Sequence, residues 1–234
     1  MVSVKVWGDY ACFSRPEFKV ERVSYPMITP SAARGVLEAI YWKPAFRYQI
    51  RKIHILRLGS QTTILRNEIA ERQGAEPFQA EDKRQQRTSL VLRNVAYIIE
   101  AEIARRDFAR DEIGSYLDQF NRKVLRGQCH HTPCLGTREC SAFFEPPSDK
   151  ERGDVSSVAL SADFGQMLFD IAFVEAKTRK ESETEFWRPE RDRSRLVHGF
   201  ARPLFFRAMV NRGILNVPPE KYAELYRLEQ SDAA

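Results

Sequence analysis

Within the first 145 residues the spacing of apolar side chains switches repeatedly between a period of two and a period of about 3.6, and the order of those switches restricts the fold more than any other feature. Val2, Val4 and Val6 alternate with Ser3, Lys5 and Trp7, the pattern of a half-buried strand over 2–7. Thr29-Pro30-Ser31 then introduces Ala33, Val36, Leu37, Ile40 and Tyr41, spaced as one face of a helix that Pro44 stops. Residues 50–58 are short and β-branched, and Val95, Tyr97, Ile99, Ala101 and Ile103 share a strand face opposite Glu100 and Glu102. Ile113, Tyr116, Leu117, Phe120 and Val124 mark a second helix with Asp118 and Arg122 on its polar side, and a last strand is expected within 135–144. The order β-α-β-β-α-β predicts an α+β, ferredoxin-like domain, an antiparallel sheet with both helices on one face. That fold hosts unrelated functions, so function has to come from particular residues.

Two segments depart from this rhythm. Residues 59–92 lack a clean period and carry Lys83-Arg84-Gln85-Gln86-Arg87, which predicts a flexible excursion from the domain. Beyond Pro146-Pro147, Met167, Phe169, Ile171 and Phe173 alternate, a charged run covers 175–195, and Asn211-Arg212-Gly213 favours a hairpin after the apolar run from Leu204, with a short helix at 204–210 as the alternative. The expected organisation is a ferredoxin-like domain over 1–145 and a small β-rich C-terminal domain over 146–234, its tail frayed or shortly helical.

Charge is distributed unevenly. The net +5 is more than accounted for by residues 1–60, which hold ten Lys/Arg against four Asp/Glu. The same stretch contains nine aromatic residues, and cations interleaved with rings suit phosphate contacts and base stacking; the alternative is a ring-rich core under a solvated cationic surface. No apolar run is long enough for a membrane span and no signal-peptide pattern opens the chain, so it is expected in the cytoplasm with its four cysteines reduced.

Cys129, His130, His131, Cys134 and Cys140 place five potential ligands close together, yet no paired Cys-x2-Cys knuckle occurs and the match to structural zinc is poor. No metal or cofactor is expected. A phosphate-binding loop, a dinucleotide fingerprint, a Gly-x-Ser-x-Gly elbow and a His-Glu-x-x-His motif are all missing. Acidic residues do not cluster in the basic region, which removes the usual support for a metal-dependent nuclease. What remains open is chemistry that needs only Tyr, His, Lys or Arg: cleavage of RNA by its own 2′-hydroxyl. One group takes the proton, a cation stabilises the phosphorane, and a third group assists the leaving 5′-oxygen.

Specific strings sharpen this. Gly8-Asp9-Tyr10-Ala11-Cys12-Phe13-Ser14-Arg15-Pro16-Glu17, Lys19-Val20-Glu21-Arg22-Val23-Ser24-Tyr25, Thr29-Pro30-Ser31-Ala32-Ala33-Arg34-Gly35 and Glu38-Ala39-Ile40-Tyr41-Trp42-Lys43-Pro44 closely resemble the CRISPR-associated Cas-five family of type I-C systems, the Dvulg subtype. Gln86-Arg87, Leu92-Arg93-Asn94-Val95, Gly127-Gln128-Cys129 and Leu135-Gly136-Thr137-Arg138-Glu139 agree with it. The resemblance implies a ferredoxin-like domain of the repeat-associated mysterious protein (RAMP) superfamily. It also implies a nuclease that cuts precursor CRISPR RNA at the base of the repeat hairpin, in antiviral defence. Such a protein stays on the 5′ handle as a Cascade subunit, beside the large and backbone subunits, with duplex DNA a further candidate partner.

The family's tyrosine carries over to Tyr41. Its Lys-His pair follows a Gly at the start of the second helix, where this chain reads Gly114-Ser115-Tyr116. Tyr116 and His131 are the candidate substitutes for the catalytic role. Arg15, Lys19, Arg22, Arg34, Lys43, Lys123, Arg126 and His130 are the candidate RNA contacts. The departure keeps a second reading alongside the nuclease: a catalytically inactive subunit that binds the handle and contacts its Cascade neighbours.

Overall fold

The computed structural model describes residues 1–18, 20–149, 151, 158–191 and 193–230. Strand β1 (Val2–Ala11) turns Val2, Val4 and Val6 fully inward while Ser3, Lys5 and Trp7 stay half-buried, as the alternation requires. A two-residue strand β2 (Arg22–Val23) precedes helix α1 (Pro30–Ile40). Thr29 caps α1, its Oγ1 accepting from the Ala32 N–H at 3.2 Å, and Pro30 occupies the first turn, where no amide hydrogen is needed. Strands β3 (Phe46–Arg57), β4 (Ser60–Ile69) and β5 (Arg84–Arg105) follow, then helix α2 (Ile113–Leu125) and the short β6 (Phe143–Glu145).

Hydrogen bonding orders the strands β6-β1-β5-β3. Relative to the β-α-β-β-α-β sequence this is fourth, first, third, second, the ferredoxin-like interleaving, and α1 and α2 pack on the sheet and on each other. Val36, Leu37 and Ile40 from α1 and Tyr116, Phe120 and Val124 from α2 are buried in that layer against Val4, Val6, Tyr97 and Ile99.

Residues 59–92, read from the sequence as an aperiodic excursion, form paired strands. β4 runs antiparallel to the first half of β5, from Ser60 opposite Arg93 to Ile69 opposite Arg84. The hairpin departs from the main sheet at two left-handed residues, Gly59 (φ +82) and Asn94 (φ 60); a Cβ at Gly59 would meet the Arg93 carbonyl oxygen at 2.6 Å. Neither face of β4 is fully buried, so no hydrophobic alternation was selected along it.

The C-terminal residues extend the same sheet. Strands β7 (Ala162–Glu175), β8 (Thr184–Pro189), β9 (Ser194–Asn211) and β10 (Ile214–Asn216) precede helix α3 (Glu220–Gln230). β10 pairs with both β9 and β3, giving one continuous order β6-β1-β5-β3-β10-β9-β7. The Asn211-Arg212-Gly213 turn is present, with Arg212 at φ 49 and Gly213 at φ 76, and 204–210 is strand rather than helix. The regular alternation read along Met167, Phe169, Ile171 and Phe173 is interrupted by a bulge between Leu168 and Asp170. The bulge brings Asp170, Ala172 and Val174 into the buried parity of Met167 and takes Ile171 and Phe173 out of it. Tyr222 of α3 seals β3: its hydroxyl accepts from the Ile50 N–H at 2.6 Å, beside a second bulge between Ile50 and Lys52. No helix among the described residues is long and apolar enough to cross a membrane.

Candidate functional site

The C-terminal end of α1 is where the sequence-selected residues converge. Tyr41 leaves the helix in an extended conformation while its N–H still bonds to the Leu37 carbonyl at 2.9 Å. Its own carbonyl accepts from the Tyr48 hydroxyl at 2.8 Å. The Ala39 carbonyl accepts the amides of both His130 and His131, at 2.8 and 3.2 Å. The 127–131 loop thereby satisfies an end that a helix leaves open, and it holds two exposed imidazoles at the negative end of the helix dipole.

Tyr41 itself is 4% exposed, packed on Phe46 with ring centroids 5.6 Å apart. Its hydroxyl donates to Gln119 Oε1 at 3.0 Å, and Gln119 Nε2 donates to Ser115 Oγ at 3.3 Å. Ser115, Gln119, Arg122 and Arg126 recur at helical spacing on one side of α2, so the helix that buries Tyr116, Phe120 and Val124 presents a polar, cationic stripe along Tyr41. Burial, reinforced by Tyr116 and Asp111 and opposed by Arg122, pushes the Tyr41 phenol up to about 12. At neutral pH it is protonated and acts as a hydrogen-bond donor.

Tyr116 has no exposed surface; its ring packs on Phe46 at 5.0 Å beneath the Lys43 ammonium at 5.5 Å. Burial, together with Asp111, raises its phenol as well. Tyr116 thus packs in the core that supports Tyr41. Lys43 is two-fifths exposed and 3.5 Å from Asp111, available to a phosphate. Lys123 and Arg126 have no side-chain partner among the described residues.

The remaining candidate RNA contacts lie elsewhere. Arg15 stacks over Tyr25 at 4.7 Å with Glu17 at 3.6 Å, and Arg22 pairs with Glu139 at 3.0 Å. Arg34 departs from expectation. Its Nε and Nη2 form a fork on Asp170 at 2.8 Å each, and Nη1 reaches Glu38 at 2.8 Å. Asp170 is 4% exposed, so this guanidinium is a structural tie between α1 and β7 rather than a phosphate contact. Lys19 lies outside the described residues. Cys129 is exposed, Cys134 half-buried and Cys140 buried beneath Thr137 at 3.5 Å. Among the described residues no group of three or more His, Cys, Asp or Glu side chains is arranged to hold a metal.

Sequence reasoning missed Gln119, Ser115 and Asp111. The recoverable signal was the i, i+4 spacing of Ser115 and Gln119 on the polar side of α2; Asp111 lies in the preceding loop and carries no periodic signature.

The fold and this junction define an α+β protein of the ferredoxin-like class, with a tyrosine and a row of cations where its two helices meet. A solved structure described as a CRISPR-associated protein superposes with a TM-score of 0.62 at 19% identity, covering 94% of this chain and 92% of the other. A functionally uncharacterized protein from Streptococcus mutans does so equally, with a TM-score of 0.62 at 18% identity over the same shares of the two chains. The family model described as CRISPR-associated protein (Cas_Cas5) matches residues 1–217, and the chain belongs to that family. A relative from Thermus thermophilus, named CRISPR pre-crRNA endoribonuclease Cas5d, is 58% identical over 232 residues, 99% of this chain and 97% of its own. A Mannheimia succiniciproducens relative of the same name is 38% identical over 242 residues, covering 95% of this chain and 96% of its own.

Proposed function

We propose that this chain is a pre-crRNA endoribonuclease of a type I-C system, cutting repeat RNA without a metal in the groove between α1 and α2. The observation that carries the reading is the 58% identity, across essentially the whole of both chains, to a relative bearing that name. The groove supplies the parts for attack by the RNA's own 2′-hydroxyl. Arg122, Lys123 and Lys43 are cations for charge on the phosphorane. His131, held by its backbone two residues before Tyr41, offers an imidazole to take the 2′-proton. Tyr41, protonated at neutral pH, donates to a phosphorane oxygen or to the departing 5′-oxygen once Gln119 rotates off its hydroxyl. After cleavage the protein stays on the 5′ handle, with Arg15 and Arg22 as further phosphate contacts, and joins the large and backbone subunits of Cascade, with duplex DNA as an additional ligand of that assembly.

Two points support the second reading, a handle-binding subunit without activity: Ser115-Tyr116 stands where the family resemblance implies a Lys-His pair, and Tyr41 is buried. One experiment separates the two. Purified protein is incubated in EDTA with its cognate repeat RNA and with a copy carrying a 2′-deoxy at the cut. Cleavage of the all-ribose RNA alone establishes the nuclease; tight binding with neither RNA cut establishes the inactive subunit.

A further inference from the structure

Across the Tyr41-Trp42 dipeptide from this groove lies a cavity of about 800 Å³, bounded by α1, the loop after β5, β8 and α3. Its volume is within the range of small-molecule sites, about 300–1,000 Å³. Most charges on its wall are already paired: Arg47 with Glu229, and Arg188 with Glu175 at 3.1 Å and with the carbonyls of Phe173 and Glu229. Arg106 and the exposed Asp107 beside it are the exceptions among the described residues. The Arg106 backbone N–H is fixed on the Ala45 carbonyl at 2.8 Å, but its Nε is buried with no hydrogen-bond partner, and no carboxylate among the described residues forms an ion pair with the guanidinium. Burial and the like charge of Arg47 push that guanidinium down to about 10, against the pull of Glu229, Tyr226 and Glu38. Such a desolvated cation costs stability unless an anion completes it.

The same cavity is lined by two exposed indoles, Trp42 at 41% and Trp187 at 67% exposure. Large exposed rings beside a cation with no ion pair match a nucleotide, which offers a flat base to the rings and a phosphate to the guanidinium. The cavity is also continuous with the groove in the chain. Trp42 follows Tyr41, and the Arg105–Phe108 stretch that lines the cavity leads to Asp111, which faces Lys43.

We infer that this cavity is a second RNA subsite, holding one nucleotide of single-stranded RNA outside the cut, with its base against Trp42 and Trp187 and its phosphate at Arg106. The inference rests on the RNA-processing reading above. The subsite lets the protein grip RNA away from the reacting atoms, so that affinity survives cleavage.

The test uses the full chain and labelled repeat RNA, with binding followed by anisotropy over a salt series and cleavage followed in single turnover. Trp187→Ala, at an exposed position, is expected to bind about tenfold more weakly with an unchanged melting temperature. Arg106→Met is expected to bind more weakly, to lower the salt slope by about 0.7 as one phosphate contact is lost, and to melt no lower than the parent, because a desolvated charge has been removed. A parent that binds and cleaves while both variants bind equally well overturns the subsite alone and leaves the cavity to an acidic protein segment. A lower melting temperature for Arg106→Met also overturns it, by showing that the guanidinium is compensated within the protein. A parent that neither binds nor cleaves repeat RNA removes the RNA-processing reading and the subsite together.

Discussion

Replacing Arg34 by Met tests whether a cation that resembles an RNA contact in the sequence is structural. The guanidinium donates three hydrogen bonds of 2.8 Å to two carboxylates, and the Asp170 side chain is only 5% exposed. Asp170 holds Arg34 well above the ordinary arginine range, so the guanidinium keeps its charge. Removing one member strands the other's buried charge, at a cost of about 3–5 kcal/mol. For a chain of this size, where 1 kcal/mol moves the midpoint about 2–4 °C, the melting temperature should fall by about 6–20 °C. The double variant Arg34→Met/Asp170→Asn should recover most of that loss. The stranded charge is gone, and the amide oxygen still accepts from the Ile171 N–H, now bonded at 2.8 Å to Asp170. Urea titrations measure both. Repeat-RNA affinity, compared at a temperature where the variant is folded, should keep its dependence on salt. A single variant that loses less than about 1 kcal/mol, or a salt slope reduced by about 0.7–0.9, would refute the assignment and return Arg34 to the RNA face.

Tyr41→Phe removes the phenol hydroxyl that donates to Gln119; single-turnover cleavage should slow by about a hundredfold or more while RNA affinity holds, and a parent rate would assign the hydroxyl to packing. Gln119→Ala uncovers the same hydroxyl and should leave cleavage at or above the parent rate; a loss as large as that of Tyr41→Phe would instead make Gln119 part of the chemistry. Burial holds the phenols of Tyr48, Tyr97 and Tyr222 well above the ordinary range. They retain protons that the unfolded chain releases near pH 10, so their stabilisation is complete below that pH and is lost as pH rises through the folded values. These three phenols alone contribute a slope that approaches about 4 kcal/mol per pH unit above roughly pH 11, and a melting temperature flat from pH 10 to 12 would refute it.

The legible parts of the fold are those in which one face of an element is buried. β1, α1, α2 and the second half of β5 each carry a periodic apolar face, because each packs a single side into the layer between sheet and helices. The hairpin of β4 and β5 left no such trace, since hydrogen bonds along the backbone hold it and both faces of β4 meet water. The bulge at Leu168/Asp170 was equally hidden, because one extra residue reverses the parity of everything after it. The site divided in the same manner. Tyr41 came from a local string, whereas the pairing of Arg34 with Asp170 spans 136 residues of chain and has no local signature.

The sequence by itself determined the β-α-β-β-α-β order of the first domain, the excess of cations and rings in the first quarter, and the family strings around Tyr41, since periodicity, composition and motif are all local properties of a chain. Tertiary structure alone decided which cations are free. Arg34 is neutralised by a strand that arrives far downstream, Arg106 is left unpaired in a cavity closed by β8 and α3, and Tyr41 is covered by Gln119 from the neighbouring helix. Charge can be counted along a sequence, but its neutralisation and desolvation depend on distances that only folding sets.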